Sequence, residues 1–390
     1  MLATVVGGSI GGLTAALLLR DEGWDVRVHE RSPAALEGRG AGIVVHPTTV
    51  RYVVERGLAQ LEEVSTSAKQ LVYIDRRGEK VFVEESPYHF TAWNTLYRTL
   101  RGHLEEDRYR LGEAMTDFFE DEVGVEVRFA TGRTERCDML VCSDGTSSTA
   151  RSQLLPHVKP SYSGYVGWRG TVAEARVSAA ARAALGSSLV YHVMPNSHIL
   201  GYTIPNPDGS VAPGSRLLNF VWYRNVPEGP ALDHVMTDRA GSRRARSVPP
   251  GEVCQDVLEE LRAMALELPP VLRELVLESD EPFIQPVMDV EVPRMAFGRV
   301  CLVGDAAFTA RPHAAAGTAK AATDAWALAE TLRTWGQDVV GALLAWEPRQ
   351  IALGTSLVAR NREMGERSQF LGTWDPRDTS LRFGLHGPRA

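Results

Sequence analysis

The chain lacks any apolar stretch long enough to cross a bilayer, and its apolar start has no basic segment before it and runs straight into glycines. Neither a membrane span nor a signal peptide is therefore expected. Cysteine is scarce: Cys137, Cys142, Cys254 and Cys301 are the only four in 390 residues, and none shows C-x-x-C spacing. Three lie in or beside apolar segments, so buried thiols in a reducing cytoplasm are expected, with no metal site. Positive charge is in deficit, and a net charge of −7 disfavours nucleic acid as a partner. The one basic cluster, residues 239–246, is short, lies beside Gly and Ser, and reads as a solvated loop. There is no internal repeat and no low-complexity tract. What remains, 44% hydrophobic and 23% charged residues, is the composition of an ordinary globular chain long enough for two or three domains.

The most informative segment present is Val5-Val6-Gly7-Gly8-Ser9-Ile10-Gly11-Gly12. Residues 2–6 suit a buried parallel strand and residues 11–20 an apolar helix, so the glycines fall at a strand-to-helix turn. Such a turn lets a pyrophosphate approach the backbone and meet the unpaired N–H groups of the helix start; the plainer alternative is a structural turn. Ser9 breaks a strict G-x-G-x-x-G, though its hydroxyl can still donate to a phosphate. Residues 25–30 form a second strand ending in Glu30, eighteen positions after Gly12. A carboxylate there accepts from adenosine ribose hydroxyls, which favours the dinucleotide reading. A second Gly-rich fingerprint of this kind is missing.

Further along, the spacing predicts a strand over 42–45, a helix over 48–56 stopped by Gly57, and a hairpin of 71–75 with 80–83. A helix over 96–104 and strands over 123–129 and 136–142 follow, the last ending in Ser143-Asp144-Gly145. From about residue 160 the pattern changes to short aromatic and β-branched runs, 165–174, 189–194, 198–204 and 217–223, between Pro, Gly, Asn and Ser. That is the signature of antiparallel sheet. An amphipathic helix over 253–266, a buried strand over 299–303 and a long helix reaching about Trp335 complete the pattern, with helix again after Trp346 to about Arg367.

These residues carry a resemblance that covers essentially the whole chain. Gly7 to Gly12, Glu30-Arg31, Asp144-Gly145 with Arg151, and Gly304-Asp305 with Pro312 resemble the three fingerprints of the single-component flavin aromatic hydroxylases, the 4-hydroxybenzoate hydroxylase group. Residues 164–170, 218–223, 312–317 and 383–385 match its hydroxypyridine-hydroxylating type. The resemblance implies an α/β fold: a Rossmann-like FAD-binding domain with a parallel sheet, and a mixed or antiparallel-sheet substrate domain inserted in it. Residues 1–70, 93–160 and 291–360 would form the first, the 71–92 hairpin and residues 161–290 the second, and 361–390 a C-terminal segment.

It also implies FAD as cofactor, NADH or NADPH as a transient co-substrate, O₂, and a small electron-rich hydroxypyridine or phenol-like substrate hydroxylated through a flavin C4a-hydroperoxide. The resembled enzymes are often dimers, so a homodimer is one assembly the resemblance offers, with the oligomeric state left open. Cofactor contacts then fall to Gly8, Ser9, Ile10, Gly11, Glu30, Arg31, Val44, Tyr97, Asp144, Gly145, Asp305, Ala315, Ala316 and Gly317. For Asp305, ribityl contact and helix N-capping both remain open. The run Ala314-Ala315-Ala316-Gly317 offers either a bare surface for a flat ring or simply good helix formers. The usual arginine before Leu100 is here Tyr97, so pyrophosphate neutralisation would fall to Arg98 or Arg39. The usual G-D-A-A-H is Gly304 to Phe308, and the customary Gly and Asn of the helix-start loop are Ala314 and Ala319.

Period-2 alternation puts Leu200 with Tyr202 on one strand face, and Leu218, Phe220 and Trp222 on one face of the next. These faces are expected to line the substrate pocket, the alternative being sheet core. His313, beside the Ala run, is the first candidate for a base or a substrate hydrogen bond, His46 the second, and His192 more ordinary. Tyr202 joins the catalytic candidates. Arg311 binds an anionic substrate group or is a solvated loop charge. Two other readings fit the same cofactor: a flavin reductase or dehydrogenase without need of O₂, and a flavin-binding regulator without turnover.

Overall fold

The computed structural model describes residues 1–37 and 41–387. Arg39 therefore lies outside the described residues.

A six-stranded sheet carries the nucleotide-type turn. Its order is Ala296–Phe297, Val300–Leu302, Met139–Cys142, Leu2–Val6, Asp25–Glu30 and Tyr109–Leu111, parallel throughout except for the first pair. Val6 stands opposite both Cys142 and His29, and Cys142 opposite Leu302, so these strands finish level with one another. Chain order reverses beside Leu2–Val6, and in open parallel sheets the crevice beyond the strand ends at such a point is where ligands bind. Gly7, Glu30, Ser143 and Gly304 all emerge there. Helices Ile10–Asp21 and Gly317–Trp335 cover one face, and their Leu13, Leu17 and Leu328 are fully buried.

An eight-stranded mixed sheet forms the second layer, ordered Phe283–Asp289, Ser161–Ala173, Leu217–Asn225, Ser197–Ile204, Ser188–Met194, Thr66–Ile74, Lys80–Ala92 and Gly42–Val45. One face packs on helices Ala179–Leu185, Gln255–Ala265 and Pro270–Glu278 through Trp168, Leu218, Phe220 and Trp222. Its other face looks toward the nucleotide layer. Helix Val339–Glu366 and the C-terminal residues close that side, with Leu357, Trp374 and Phe383 packed against Tyr165, Tyr191 and Tyr223.

Several expected boundaries move. The 42–45 segment is a strand but pairs antiparallel with Lys80–Ala92, so it belongs to the second sheet and not to the βαβ start. The hairpin begins at Thr66, not at 71, and is much longer on both arms. The expected 136–142 strand is two, Thr134–Cys137 in a small three-stranded antiparallel sheet and Met139–Cys142 in the parallel one. Asp138 divides them: its N–H donates to the Leu2 carbonyl and its carboxylate accepts from the Leu2 N–H at 2.7 Å. The last long helix starts at Val339 and continues through Pro348.

Beneath the Glu30 strand end lies a buried polar network that periodicity could not show. His29 Nδ1 is 2.6 Å from Glu113 and its Nε2 3.2 Å from Glu135, while Phe129 stacks on the ring. Arg27 and Thr4 also donate to Glu135, at 2.9 and 2.8 Å. Burial alone would raise the Glu135 carboxyl, but hydrogen bonds from His29, Arg27 and Thr4 outweigh it and hold it down to about 2. A carboxyl depressed in the folded state stabilises above its unfolded value of about 4.5, and that stability is lost as pH falls toward 2. The denaturant midpoint of the protein is accordingly expected to fall through that window. Glu135→Gln should make the fall shallower by about one bound proton; an unchanged slope in the variant would show that the network does not hold this charge.

Candidate active site

The cleft at the strand ends comprises two adjoining cavities of about 370 and 510 Å³. Ser9, Gly42, Ile43, Trp93, Ser143, Gly145 and Arg169 line both, so the two are continuous. The larger runs past Gly7, Glu30, Arg31, Asp144 and Thr149; the smaller runs past Asp305 and residues 309–318 to the aromatic face of the second sheet.

The nucleotide-type end is built as the sequence suggests, with one change of detail. Glu30 is buried and accepts from Gly8 N at 2.9 Å and Ser32 N at 2.8 Å, which aligns its carboxylate beside the glycine turn. Gly8 itself does not line the cleft, because Tyr109 packs over it and donates to its carbonyl. Ser9, Ile10 and Gly11 do, and the Ser9 side chain makes no bond to its helix. Arg31 lies exposed on the rim.

The second element is the loop after Met139–Cys142. Asp144 Oδ2 accepts from Thr149 N at 2.7 Å, while its Oδ1 is buried without a partner. Arg151, fully buried, donates to the Ala306 carbonyl at 2.9 Å and to that of Thr146. It thereby ties this loop to the Gly304–Ala306 turn. Asp305, in that turn, opens onto the cleft, makes no hydrogen bond to a described side chain, and caps no helix. Surrounding protein mass pushes its carboxyl up to about 6, with Lys320 working against the shift. Behind the turn, Lys320 and Asp324 form a fully buried pair at 2.6 Å, and Asp324 also accepts from Gly304 N at 2.8 Å.

The Ala run does not start the long helix. Pro312–Ala314 is a single 3-10 turn, Ala315 takes a left-handed conformation (φ 52°), and the helix begins at Gly317. Asn361 holds the turn by accepting from Ala314 N at 2.8 Å. His46 Nε2 is 2.9 Å from the Ala315 carbonyl and its ring does not line either cavity, so it positions this loop and does not face a substrate.

Other expectations change for reasons of register and partner. Leu200 pairs with Val221, and Gly201 with Phe220, across Ser197–Ile204 and Leu217–Asn225. Cross-strand partners share a face, so Val221 and Tyr223 line the pocket with Leu200 and Tyr202, whereas Phe220 and Trp222 point into the helix-covered core. Tyr97 is buried against Trp93 and lies 3.3 Å from the Tyr109 hydroxyl, away from the cleft. Arg98 is exposed, bonds the Pro207 carbonyl, and lines neither cavity. Arg311 is buried with its guanidinium committed to Asp289 at 3.1 Å and Glu366 at 3.3 Å, which leaves it no charge for a ligand. His192 turns away and bonds the Ile74 carbonyl.

His313 is where it was expected, buried in the pocket wall with Nε2 2.6 Å from the Tyr165 hydroxyl. The residue missed is His198. It lies on the same strand face as Leu200 and Tyr202, so the alternation that found them also contained it. Its ring centroid is 5.4 Å from that of His313, and Trp374 and Tyr223 flank it. Burial pushes His198 down to about 3; burial, then His198 and Arg311, pushes His313 well below the ordinary imidazole range. Both rings are neutral at physiological pH. Arg169, the one basic side chain common to both cavities, had no sequence signal beyond its strand parity.

The donors and acceptors along this cleft fit a long nucleotide. A buried unpaired carboxylate oxygen on Asp144, the free Ser9 hydroxyl, the free Asp305 carboxylate and an uncapped helix start at Gly317 follow one another along one channel. That order matches the hydroxyls, phosphates and heterocycle edge of FAD.

Comparison with known proteins agrees. A family model described as FAD binding domain-like matches residues 162–289. 2,6-Dihydroxypyridine 3-monooxygenase of Paenarthrobacter nicotinovorans is 38% identical over 382 residues, covering 98% of this chain and 95% of that protein. The solved 2,6-dihydroxypyridine-3-hydroxylase of Arthrobacter nicotinovorans superposes with a TM-score of 0.94 at 37% identity, covering 100% of this chain and 98% of that one. Klebsiella pneumoniae HpxO complexed with FAD and uric acid, 24% identical over 95% of this chain and 89% of that one, shares the fold with a TM-score of 0.79. With its cleft and its near full-length similarity, the chain belongs to the FAD-dependent aromatic monooxygenases.

Proposed function

We propose that the protein hydroxylates a small electron-rich ring of hydroxypyridine or phenol type, 2,6-dihydroxypyridine foremost, with NADH or NADPH and O₂. The observation that carries this reading is the direct opening of the nucleotide channel into a small pocket walled by Tyr191, Leu200, Tyr202, Val221 and Tyr223. When bound, FAD supplies the chemistry that passes electrons from the nicotinamide to O₂ and delivers oxygen to the ring. Ser9, Ile10 and Gly11 would hold the pyrophosphate, Glu30 the adenosine ribose, and Asp305 the ribityl chain. Backbone N–H groups at Ala315, Ala316 and Gly317 would face the pyrimidine edge, with Val44 alongside. The apolar walls exclude water, and the aromatic rings fix the plane of the substrate.

The test is NADH and NADPH oxidation with O₂ uptake, with and without a panel of hydroxypyridines and phenols. Ring-stimulated oxidation yielding hydroxylated product supports the reading. Oxidation indifferent to every ring and to O₂ would make it a reductase, and a flavoprotein with no turnover a regulator.

Asp305→Ala is expected to weaken FAD binding about 10- to 100-fold, the equivalent of one charged hydrogen bond. A flavin fluorescence titration measures it, and unchanged affinity would remove Asp305 from the ribityl contact.

A further inference from the structure

Residues 372–385 pack on the aromatic face of the second sheet with a single turn of regular structure, Thr379–Leu381. An irregular segment stays buried only if its polar groups find partners, and this one is pinned from three sides. Arg360, on helix Val339–Glu366, donates to the Gly384 carbonyl at 2.6 Å and to that of Arg382. The Arg382 guanidinium in turn donates to the Pro376 carbonyl at 2.7 Å and to Glu84 on the strand Lys80–Ala92. Gly384 N–H donates at 3.1 Å to the carbonyl of Ala314, in the turn beside the cofactor end of the cleft.

Phe383 stands between these pins. Its ring is 9% exposed, meets Tyr88 edge-on with centroids 5.3 Å apart, and lines the smaller cavity. Among the described residues it is the only one beyond Ala321 that does so. The other apolar walls, Tyr191, Leu200, Tyr202, Val221 and Tyr223, sit on central strands whose ladders fix them. At about 370 Å³ this cavity is near the lower end of the ~300–1,000 Å³ usual for ligand sites. On the proposed reading it also takes the heterocycle of FAD, so the space left for a substrate is smaller still.

We infer that Phe383 sets the ring-size limit of the pocket: its side chain fills the place of a second fused ring, so a single hydroxylated ring is accepted and a bicyclic one rejected. This rests on the monooxygenase reading and deepens it, because it names the substrate class by size. Rejection works by overlap. A fused ring must displace a buried phenyl group or the segment that carries it, and three sets of hydrogen bonds hold that segment in place. Truncating Phe383 empties the place while the sheet walls keep their ladder.

The FAD-loaded enzyme is tested with 2,6-dihydroxypyridine and with 2,4-dihydroxyquinoline, which carries a fused second ring. Binding is read from the change each makes in the absorption of the oxidised flavin, without NADH and so without turnover. Wild type should bind the single ring at least about 10-fold more tightly than the bicyclic one. Phe383→Ala should tighten the quinoline and weaken the pyridine, moving the ratio of Kd values by about 10- to 100-fold, the range an apolar pocket gives for methylene-sized differences. Phe383→Leu should move it less in the same direction. If Phe383→Ala does not fold, Phe383→Leu and Arg360→Met carry the test, the second because it frees the carbonyls on either side of Phe383 without touching the cavity.

A wild type that binds both rings equally, or a ratio unchanged in the Phe383 variants and in Arg360→Met, would overturn the size limit even with hydroxylation intact. A shifted ratio in a protein that turns over no ring would instead leave the limit standing and end the monooxygenase reading.

Discussion

Lys320→Met is expected to destabilise the protein by about 3–5 kcal/mol, because it leaves Asp324 as an unpaired charge in the interior. Lys320 is 1% exposed and Asp324 0%, and the pair at 2.6 Å sits directly behind the turn that carries Asp305. Asp324 also accepts from Gly304 N and keeps Trp346 Nε1 on its carbonyl, so the loss reaches the backbone that lines the cleft. Burial already raises the Asp324 carboxyl, and Lys320 opposes that. Without the lysine its folded value rises further above the unfolded one. Stability is then retained at pH below the unfolded value and lost as pH climbs through the folded one, so the variant should recover on acidification toward pH 4. Lys320→Met with Asp324→Asn keeps the acceptor for Gly304 N and should regain most of the loss. Guanidinium denaturation midpoints at pH 5 and 8 check this; a single variant as stable as wild type at pH 8 would mean that the pair is dispensable.

Gly7→Ala is the second large effect. Gly7 has φ +99°, a conformation side chains rarely adopt, and a Cβ there would lie 2.2 Å from the Ser143 carbonyl oxygen. The strain costs on the order of 1–3 kcal/mol and the overpacking a similar amount. Ser143 cannot retreat cheaply, since its N–H donates to the Val6 carbonyl at 2.8 Å and continues the parallel ladder. The turn must therefore open, moving Ser9 and the helix start away from any phosphate. Loss of FAD retention on purification, with a lowered melting temperature, is the expected result. A yellow, fully loaded Gly7→Ala protein would show that this turn is not where the pyrophosphate sits.

Reading the sequence found the glycine turn, Glu30, the Asp144-Gly145 loop and Asp305, although they are spread over 300 residues. The glycine turn, the Asp144-Gly145 loop and Asp305 each follow a short apolar strand, and strands buried on both faces are legible as continuous apolar runs. Glu30 instead ends the alternating Asp25–Glu30. Leu200 and Tyr202 were legible by alternation, and His198 stood in the same series. Phe220 and Trp222 were misjudged because alternation gives two faces without saying which is inward; only the pairing of Leu200 with Val221 decides that. Arg311 and His46 were misjudged because a charge or an imidazole says nothing of its partner, and theirs, Asp289, Glu366 and the Ala315 carbonyl, come from distant segments.

By itself, then, the sequence determined the fold class, the cofactor-type turns and the family, because these depend on local periodicity and on side chains fixed at strand ends. Tertiary structure alone decided which aromatic face lines the cleft, which cations are already neutralised, and which groups hold each pocket histidine. Those properties depend on cross-strand register and on contacts with Gln369 and Tyr165, 171 and 148 residues away along the chain from His198 and His313 respectively. Local pattern carries no information about partners so far removed, and it is the partners that set the chemistry of a buried polar group.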